Sequence, residues 1–139
     1  MAQHKVLFLC TGNSCRSQMA EAIVNARLGD EWQAVSAGTV PAGYVYRKAL
    51  AALREIGIEH EGRSKLADEY RDWDFDLVVT VCDSAAEECP LWLGRGRRIH
   101  HSFPDPAKTD DIADFRAVRD DIARVIIPLL ENHTSPESQ

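Results

Sequence analysis

The chain has 139 residues, which is enough for one domain with its own hydrophobic core. Its formal net charge of −6 argues against general nucleic-acid binding, which requires a basic surface. No apolar run approaches the ~20 residues of a membrane span, and residues 1–5 lead into a strand without the cleavable segment of a secretory signal. We therefore expect a cytoplasmic protein that binds neither nucleic acid nor membrane.

Apolar runs alternate with amphipathic stretches along the chain, which is typical of an α/β domain with a parallel sheet. The sequence predicts strands at 5–9, 32–37, 75–81 and 97–101, and helices at 15–28, 47–56 and 111–130. Pro128 is expected to kink or end the last helix. The residues expected to face the core are Met19, Ala22, Ile23 and Ala26, then Leu50, Leu53 and Ile56, and finally Phe115, Val118, Ile122, Val125, Ile126 and Leu129. We expect one domain over residues 1–131 and a flexible C-terminal tail over residues 132–139.

The first strand runs into the sequence Cys10-Thr11-Gly12-Asn13-Ser14-Cys15-Arg16-Ser17, which precedes the first helix. A loop between a strand end and a helix start presents several backbone N–H groups, and the helix dipole adds to its attraction for anions. These amides and Arg16 favour the thiolate of Cys10, which is therefore a candidate nucleophile. Arg16 can also hold two oxygens of a tetrahedral oxyanion at once. For Cys10 alone, a buried structural thiol is the alternative.

Other residues of this loop have expected supporting roles. Ser17 is placed to donate a hydrogen bond to the Cys10 thiolate, and Asn13 to hold the loop by side-chain to backbone bonds. Gly12 relieves backbone crowding or permits a positive φ. Cys15 is expected to be a packing thiol of the loop. The residues expected to contact an oxyanion are Thr11, Gly12, Asn13, Ser14, Cys15, Arg16 and Ser17.

A second pair of cysteines, Cys82 and Cys89, follows the strand predicted at 75–81. Cys82 should emerge at the same sheet edge as Cys10, and the spacing of the pair exceeds that of usual zinc sites. Ser84 and Glu87 fit a capping box for a short helix. In a helix, Cys82 and Cys89 would lie ~10.5 Å apart along the axis, whereas a disulfide needs Cα atoms within about 7 Å. A bond between them would therefore require this segment to unwind; two unrelated buried thiols are the alternative.

Residues 10–21 resemble the loop shared by low-molecular-weight protein tyrosine phosphatases and the arsenate reductases built on their fold, in its reductase version. The resemblance continues through residues 36–38, 77–82, 89–90, 105–107 and 115–122. It implies a three-layer sandwich with a central four-stranded parallel sheet flanked by helices. It implies no organic cofactor.

The resembled reductases use a relay of three cysteines, and Cys10, Cys82 and Cys89 match its positions. The resemblance implies that Cys10 attacks the arsenic of arsenate while Asp105 acts as general acid for the leaving oxygen. Cys82 and then Cys89 resolve the intermediate, and thioredoxin reduces the final disulfide. Arsenate reduction takes two electrons, which two thiols supply by forming a disulfide. The resemblance further implies a monomer for which phosphate and sulfate compete with arsenate.

Other functions remain open at this point. A low-molecular-weight phosphatase is the main alternative, although Ala107 and Lys108 stand where phosphotyrosine-specific members typically carry tyrosines. A non-catalytic oxyanion or redox sensor is a third reading, and glutaredoxin with glutathione is the alternative electron donor. Some resembled reductases bind potassium, and Asn13, Glu21 and Ser36 match that site. Because Lys65 stands where an acidic residue is expected, we predict no bound potassium and no other metal.

Overall fold

A computed structural model describes residues 3–82 and 94–134 of the chain. These residues form an α/β domain with a four-stranded sheet, as predicted. In chain order the elements are β1 (His4–Cys10), α1 (Arg16–Leu28), β2 (Trp32–Gly38), α2 (Arg47–Arg54), β3 (Leu77–Thr80), β4 (Arg97–His100) and α3 (Ile112–Thr134). Short 3₁₀ helices span Ala67–Tyr70 and Pro106–Lys108.

The sheet has the strand order β2-β1-β3-β4, and every neighbouring pair is parallel. The side chains of β1 alternate between two cores, as the pleat of a strand requires. Val6 and Phe8 pack in the large core built with α1, α2 and α3. Leu7 and Leu9 face the opposite side, where Tyr70 and neighbouring aromatic side chains cover them. The predicted layered arrangement around a central parallel sheet is therefore confirmed.

The register of the two central strands decides which residues meet at the carboxyl edge of the sheet. Leu9 of β1 pairs with Thr80 of β3, and the Val81 N–H donates to the Leu9 carbonyl at 2.9 Å. Cys10 follows Leu9 directly, and Cys82 follows Thr80 after one intervening residue, Val81. In open parallel sheets this edge is where ligands bind.

Helix faces differ in part from the prediction. Ala26 is exposed, so its assignment to the core was wrong; α1 buries residues 16–20 instead, because its first turn packs against the loop 10–15. On α2 the fully buried residues are Ala49, Ala52 and Leu53, whereas Leu50 is half-buried; Ile56, also half-buried, lies beyond the end of the helix at Arg54. On α3 the buried residues are Phe115, Val118, Ile122, Ile126 and Leu130, with Val125 and Leu129 half-buried.

Helix α3 continues through Pro128 to Thr134 without ending at the proline. Proline removes one backbone donor, but the fully buried Ile126 and Leu130 on either side keep the helix packed on the core. In the described part of the chain, no helix is both long and apolar enough to cross a membrane. We still propose a single domain over residues 1–131; residues 135–139 of the tail lie outside the described residues.

Candidate active site

The loop between β1 and α1 turns its carbonyl oxygens outward, toward hydrogen-bond donors on other segments. The donor and acceptor pairs are Val40 N to Thr11 O (3.0 Å), Ala42 N and Ser64 Oγ to Gly12 O (2.8 and 2.9 Å), Gln18 Nε2 to Asn13 O (3.1 Å) and Tyr46 N to Ser14 O (2.8 Å). In a trans peptide unit the C=O and the next N–H point in opposite directions. The N–H groups of residues 12–15 therefore face the inside of the loop and form a cradle for an anion.

The Cys10 sulfur lies within this cradle, and its residue is 2% exposed. It lies 2.9 Å from Ser17 Oγ, and the Asn13 backbone N–H donates to it at 3.3 Å. Asn13 Nδ2 also donates to Ser17 Oγ at 2.8 Å. A thiolate cannot donate, so the Ser17 hydroxyl is the donor to Cys10 whenever the sulfur is ionised. Both contacts with the sulfur are thus of the kind that stabilises a thiolate.

The left-handed residue of the loop is Asn13, with a φ of 49°. Gly12, for which the sequence permits a positive φ, does not adopt one. Asn13 tolerates this conformation better than most residues, and its fully buried side chain is held from both sides. Its Oδ1 accepts from the Lys65 backbone N–H at 2.9 Å and from Gln18 Nε2 at 3.0 Å. The expected stabilisation of the loop by Asn13 side-chain bonds is confirmed.

Gly38, the last residue of β2, lies against the start of the loop. A Cβ atom at this position would collide with the carbonyl oxygens of Cys10 and Thr11. Only glycine therefore permits this close approach of two backbones. The end of β2 thus helps to define where the Cys10 loop can lie.

Arg16 connects the loop to the segment that follows β4. Its side chain is buried, and its Nη1 donates to the Phe103 carbonyl at 3.2 Å. Two residues later, the Asp105 carboxylate accepts from the Ala107 N–H at 3.0 Å and caps the 3₁₀ helix Pro106–Lys108. Asp105 therefore belongs to the segment that Arg16 holds beside the Cys10 loop.

Cys15 differs from Cys10 in its environment, although both are free thiols. Burial, reinforced by the nearby negative charge of Asp105, raises the pKa of Cys15 to about 12. Cys15 therefore stays protonated near neutral pH. Its residue is 4% exposed, and it packs in the same core cluster as Cys10. These properties suit the packing role expected for it.

Cys82 is fully buried in the core cluster that also contains Cys10 and Cys15. It is disulfide-bonded, in contrast to the other two. Cys89, like the capping box of Ser84 and Glu87, lies outside the described residues. The structure thus brings Cys10, Arg16, Cys82 and the segment of Asp105 to one edge of the sheet.

A group of polar side chains lies behind the loop, and the sequence pattern predicts no role for two of its members, Gln18 and His60. Gln18 Nε2, which also contacts Asn13, donates to the Arg63 carbonyl at 2.8 Å, and its Oε1 lies 2.8 Å from His60 Nε2. Burial lowers the pKa of His60, an effect that the Glu21 carboxylate 3.8 Å away opposes. No local sequence signal marks these residues, because they meet the loop only through the fold.

Lys65 and Glu21 form the charged centre of this group. Lys65 Nζ lies 3.7 Å from Glu21 Oε1 and donates to the Arg63 carbonyl at 2.8 Å. Ser36 Oγ donates to the same Glu21 oxygen at 2.8 Å. Burial lowers the pKa of Lys65, whereas the Glu21 carboxylate favours its charged form. Of the residues matching a potassium site, Glu21 therefore already faces the Lys65 ammonium group, whose repulsion a second cation there would meet. This set of residues does not fit a bound potassium ion.

Replacing Lys65 by methionine should lower the free energy of unfolding by about 1–3 kcal/mol, because the Glu21 carboxylate loses its nearest cation while it stays largely buried. Urea-induced unfolding followed by tryptophan fluorescence measures this. The matched control is Lys48→Met, which removes an exposed ion pair with Asp110 worth no more than about 1 kcal/mol. Adding Glu21→Gln to Lys65→Met should restore part of the loss. Equal stability of the two lysine variants would contradict this account.

The strand, loop and helix together form an anion cradle with a cysteine at its base and an arginine at its end. This kind of site defines a class of enzymes in which the cysteine sulfur forms a covalent intermediate with an oxyanion or with an ester of one. Residues 5–137 match the family described as low molecular weight phosphotyrosine protein phosphatase. The chain belongs to this family.

Similar proteins include both reductases and phosphatases. An arsenate reductase from Halalkalibacterium halodurans is 45% identical over 132 residues, covering 91% of this chain and 94% of the relative. A solved arsenate reductase in the phosphate binding state has a TM-score of 0.81 and 27% identity, covering 93% of this chain and 98% of the other. A low molecular weight protein tyrosine phosphatase from T. tengcongensis has a TM-score of 0.74 and 27% identity, covering 93% and 99%. Proteins named as arsenate reductases and as phosphatases therefore share this fold, so only the residues of the site can indicate which activity a chain has.

Proposed function

We propose that this protein reduces arsenate to arsenite through Cys10, Cys82 and Cys89, with thioredoxin as the reductant. The observation that carries the proposal is the register of β1 with β3: Leu9 pairs with Thr80, so Cys10 and Cys82 both follow this pair at the same carboxyl edge of the sheet. A phosphatase needs one nucleophilic cysteine, whereas a two-electron reduction needs a second thiol within reach. The high identity to a relative named arsenate reductase supports the same conclusion.

The first step uses the cradle described above. Arsenate binds with its oxygens toward the inward N–H groups of residues 12–15 and the Arg16 guanidinium, which balance its negative charge. The Cys10 thiolate attacks arsenic and forms a sulfur–arsenic bond. An arsenic–oxygen bond breaks, and Asp105 donates the proton with which that oxygen leaves as water. Phosphate and sulfate, which have the same shape, compete for this site.

The second step transfers the electrons. The Cys82 thiolate attacks the Cys10 sulfur, and the pair of electrons in the sulfur–arsenic bond stays on arsenic, which leaves as arsenite. Cys10 and Cys82 are then joined by a disulfide. Cys89 attacks Cys82 and releases the Cys10 thiolate, which leaves a disulfide between Cys82 and Cys89 for thioredoxin to reduce.

We further propose that the protein works as a monomer in the cytoplasm. The relay needs the cysteines of one chain only, and thiols that depend on thioredoxin require a reducing compartment. Hydrolysis of phosphate esters is the second candidate activity. It is favoured by the match to the phosphatase family and needs only Cys10, Arg16 and Asp105.

The test is a coupled assay of the reduced full-length protein with arsenate, thioredoxin, thioredoxin reductase and NADPH. We expect NADPH oxidation that depends on arsenate and on the protein, and that phosphate or sulfate inhibits competitively. A parallel assay with glutathione and glutaredoxin identifies the physiological donor. Absence of arsenate-dependent oxidation with either donor system would overturn the proposal, and hydrolysis of an aryl phosphate by the same sample would then support the phosphatase.

A further inference from the structure

A cluster of metal-binding side chains lies at the amino end of the strands, away from the Cys10 loop. His4 opens β1, Asp76 immediately precedes β3, and His133 lies in the last turn of α3. Cys10 lies six residues further along β1 than His4, which corresponds to ~20 Å. The proposed reduction uses none of these three residues.

The geometry of the cluster is close to that of a metal site. One ligand atom from each of the three residues lies within 4.8 Å of the other two. His4 Nδ1 and Asp76 Oδ1 are 3.5 Å apart. Zinc binds nitrogen and oxygen ligands at ~2.0–2.2 Å, which places ligand atoms of a tetrahedral site about 3.4 Å from each other. The His4 and Asp76 pair therefore already has the separation that a zinc site requires, and the His133 ligand atom lies within 4.8 Å of both.

The surroundings hold the three side chains in place. Asp76 Oδ2 accepts a hydrogen bond from the Lys5 backbone N–H at 2.8 Å. This bond keeps Asp76 Oδ1 directed toward His4. The buried Trp32 ring contacts both imidazoles, with centroid distances of 5.1 Å to His4 and 5.6 Å to His133. Hydrogen bonds to a ligating carboxylate and packing around the ligands are features of sites that bind metal tightly.

We propose that His4, Asp76 and His133 bind a divalent transition metal ion, with zinc as its occupant. Two imidazole nitrogens and one carboxylate oxygen suit zinc and its neighbours, whereas magnesium and calcium require oxygen ligands. Because both histidines are partly exposed, an ion can enter from solvent and keep water at its fourth position. The ion links the starts of β1 and β3 to the end of α3, and so stabilises the packing of α3 on the sheet.

The test is zinc titration of the untagged full-length chain by calorimetry, with tris(2-carboxyethyl)phosphine present as the reductant. We expect one saturable site, and zinc at ~100 times its dissociation constant should raise the unfolding temperature on the order of 5–10 °C. His133→Ala should weaken binding at least about tenfold. Asp76→Asn, which can keep the bond to the Lys5 N–H, should weaken it as well. The matched control is His100→Ala on β4, which should bind zinc as tightly as the unchanged chain.

The absorption spectrum of bound cobalt distinguishes this site from a metal site formed by cysteines. Cobalt bound by imidazole and carboxylate gives visible absorption without the sulfur-to-cobalt charge-transfer band of a thiolate site. We expect this spectrum, and we expect His133→Ala to remove it. Three results would each overturn the proposal: no saturable zinc binding, equal affinity in the His133→Ala and His100→Ala variants, or a cobalt spectrum dominated by thiolate ligands.

Discussion

Cys10→Ser should abolish both arsenate reduction and phosphate-ester hydrolysis, with each rate falling about 10³-fold or more. Both reactions begin with attack by the same sulfur, and a serine hydroxyl in its place is far less ionised near neutral pH. The measurements are arsenate-dependent NADPH oxidation and release of an aryl alcohol from its phosphate ester. The variant should still bind phosphate, because the inward N–H groups of residues 12–15 and Arg16 are unchanged.

The matched variant for this prediction is Cys15→Ser. It changes a thiol of the same loop that stays protonated, since burial raises its pKa to about 12. We expect it to lose less than about tenfold in either rate, by disturbing the packing of the loop. If Cys10→Ser retained reduction, or if Cys15→Ser lost as much as Cys10→Ser, the assignment of Cys10 as nucleophile would be wrong.

Cys89→Ser should stop catalytic turnover with arsenate after one equivalent of arsenite while leaving phosphate-ester hydrolysis in place. The variant can still form the disulfide between Cys10 and Cys82 that releases arsenite, but it cannot free Cys10 from it. Arsenite is quantified per mole of protein in the presence of thioredoxin and its reductase. Mass analysis of peptides from the stalled protein should find Cys10 linked to Cys82.

Cys82→Ser provides the comparison one step earlier in the relay. Without this thiol the sulfur–arsenic bond cannot be resolved, so we expect no arsenite in the first turnover, again with ester hydrolysis in place. Equal loss of reduction and hydrolysis in these variants would count against a relay and favour a structural role for Cys82 and Cys89. Multiple turnovers of Cys89→Ser at the wild-type rate would show that another thiol resolves the Cys10–Cys82 bond.

Features that depend on neighbours in the chain could be predicted from the sequence. The apolar run ending at Cys10 followed by a polar loop and an amphipathic stretch predicts a strand, an anion-binding loop and a helix, which the structure has at His4–Cys10 and Arg16–Leu28. The contact of Ser17 with Cys10 also follows from local geometry, because Ser17 lies in the first turn of the helix that follows the loop. The apolar strand at 77–80 is equally a local signal.

Contacts between distant segments could not be predicted in the same way. The positive φ lies at Asn13 and not at Gly12, because the Lys65 N–H and Gln18 hold the Asn13 side chain. Lys65 is 52 residues from Asn13 along the chain, and no pattern around either residue indicates their contact. Pro128 stays within α3 because the buried residues on both sides outweigh one lost hydrogen bond.

The sequence by itself determined the chemistry available to the loop 10–17: a thiol, an arginine and a helix N-terminus, each specified by residue type and order. Only the tertiary structure decided what surrounds that chemistry. It turned the loop carbonyls toward residues 40–46, brought Cys10 and Cys82 to the same edge of the sheet through strand register, and buried Lys65 against Glu21. The physical reason is that strand pairing and burial bring together groups far apart in the chain, and their energies depend on the whole fold.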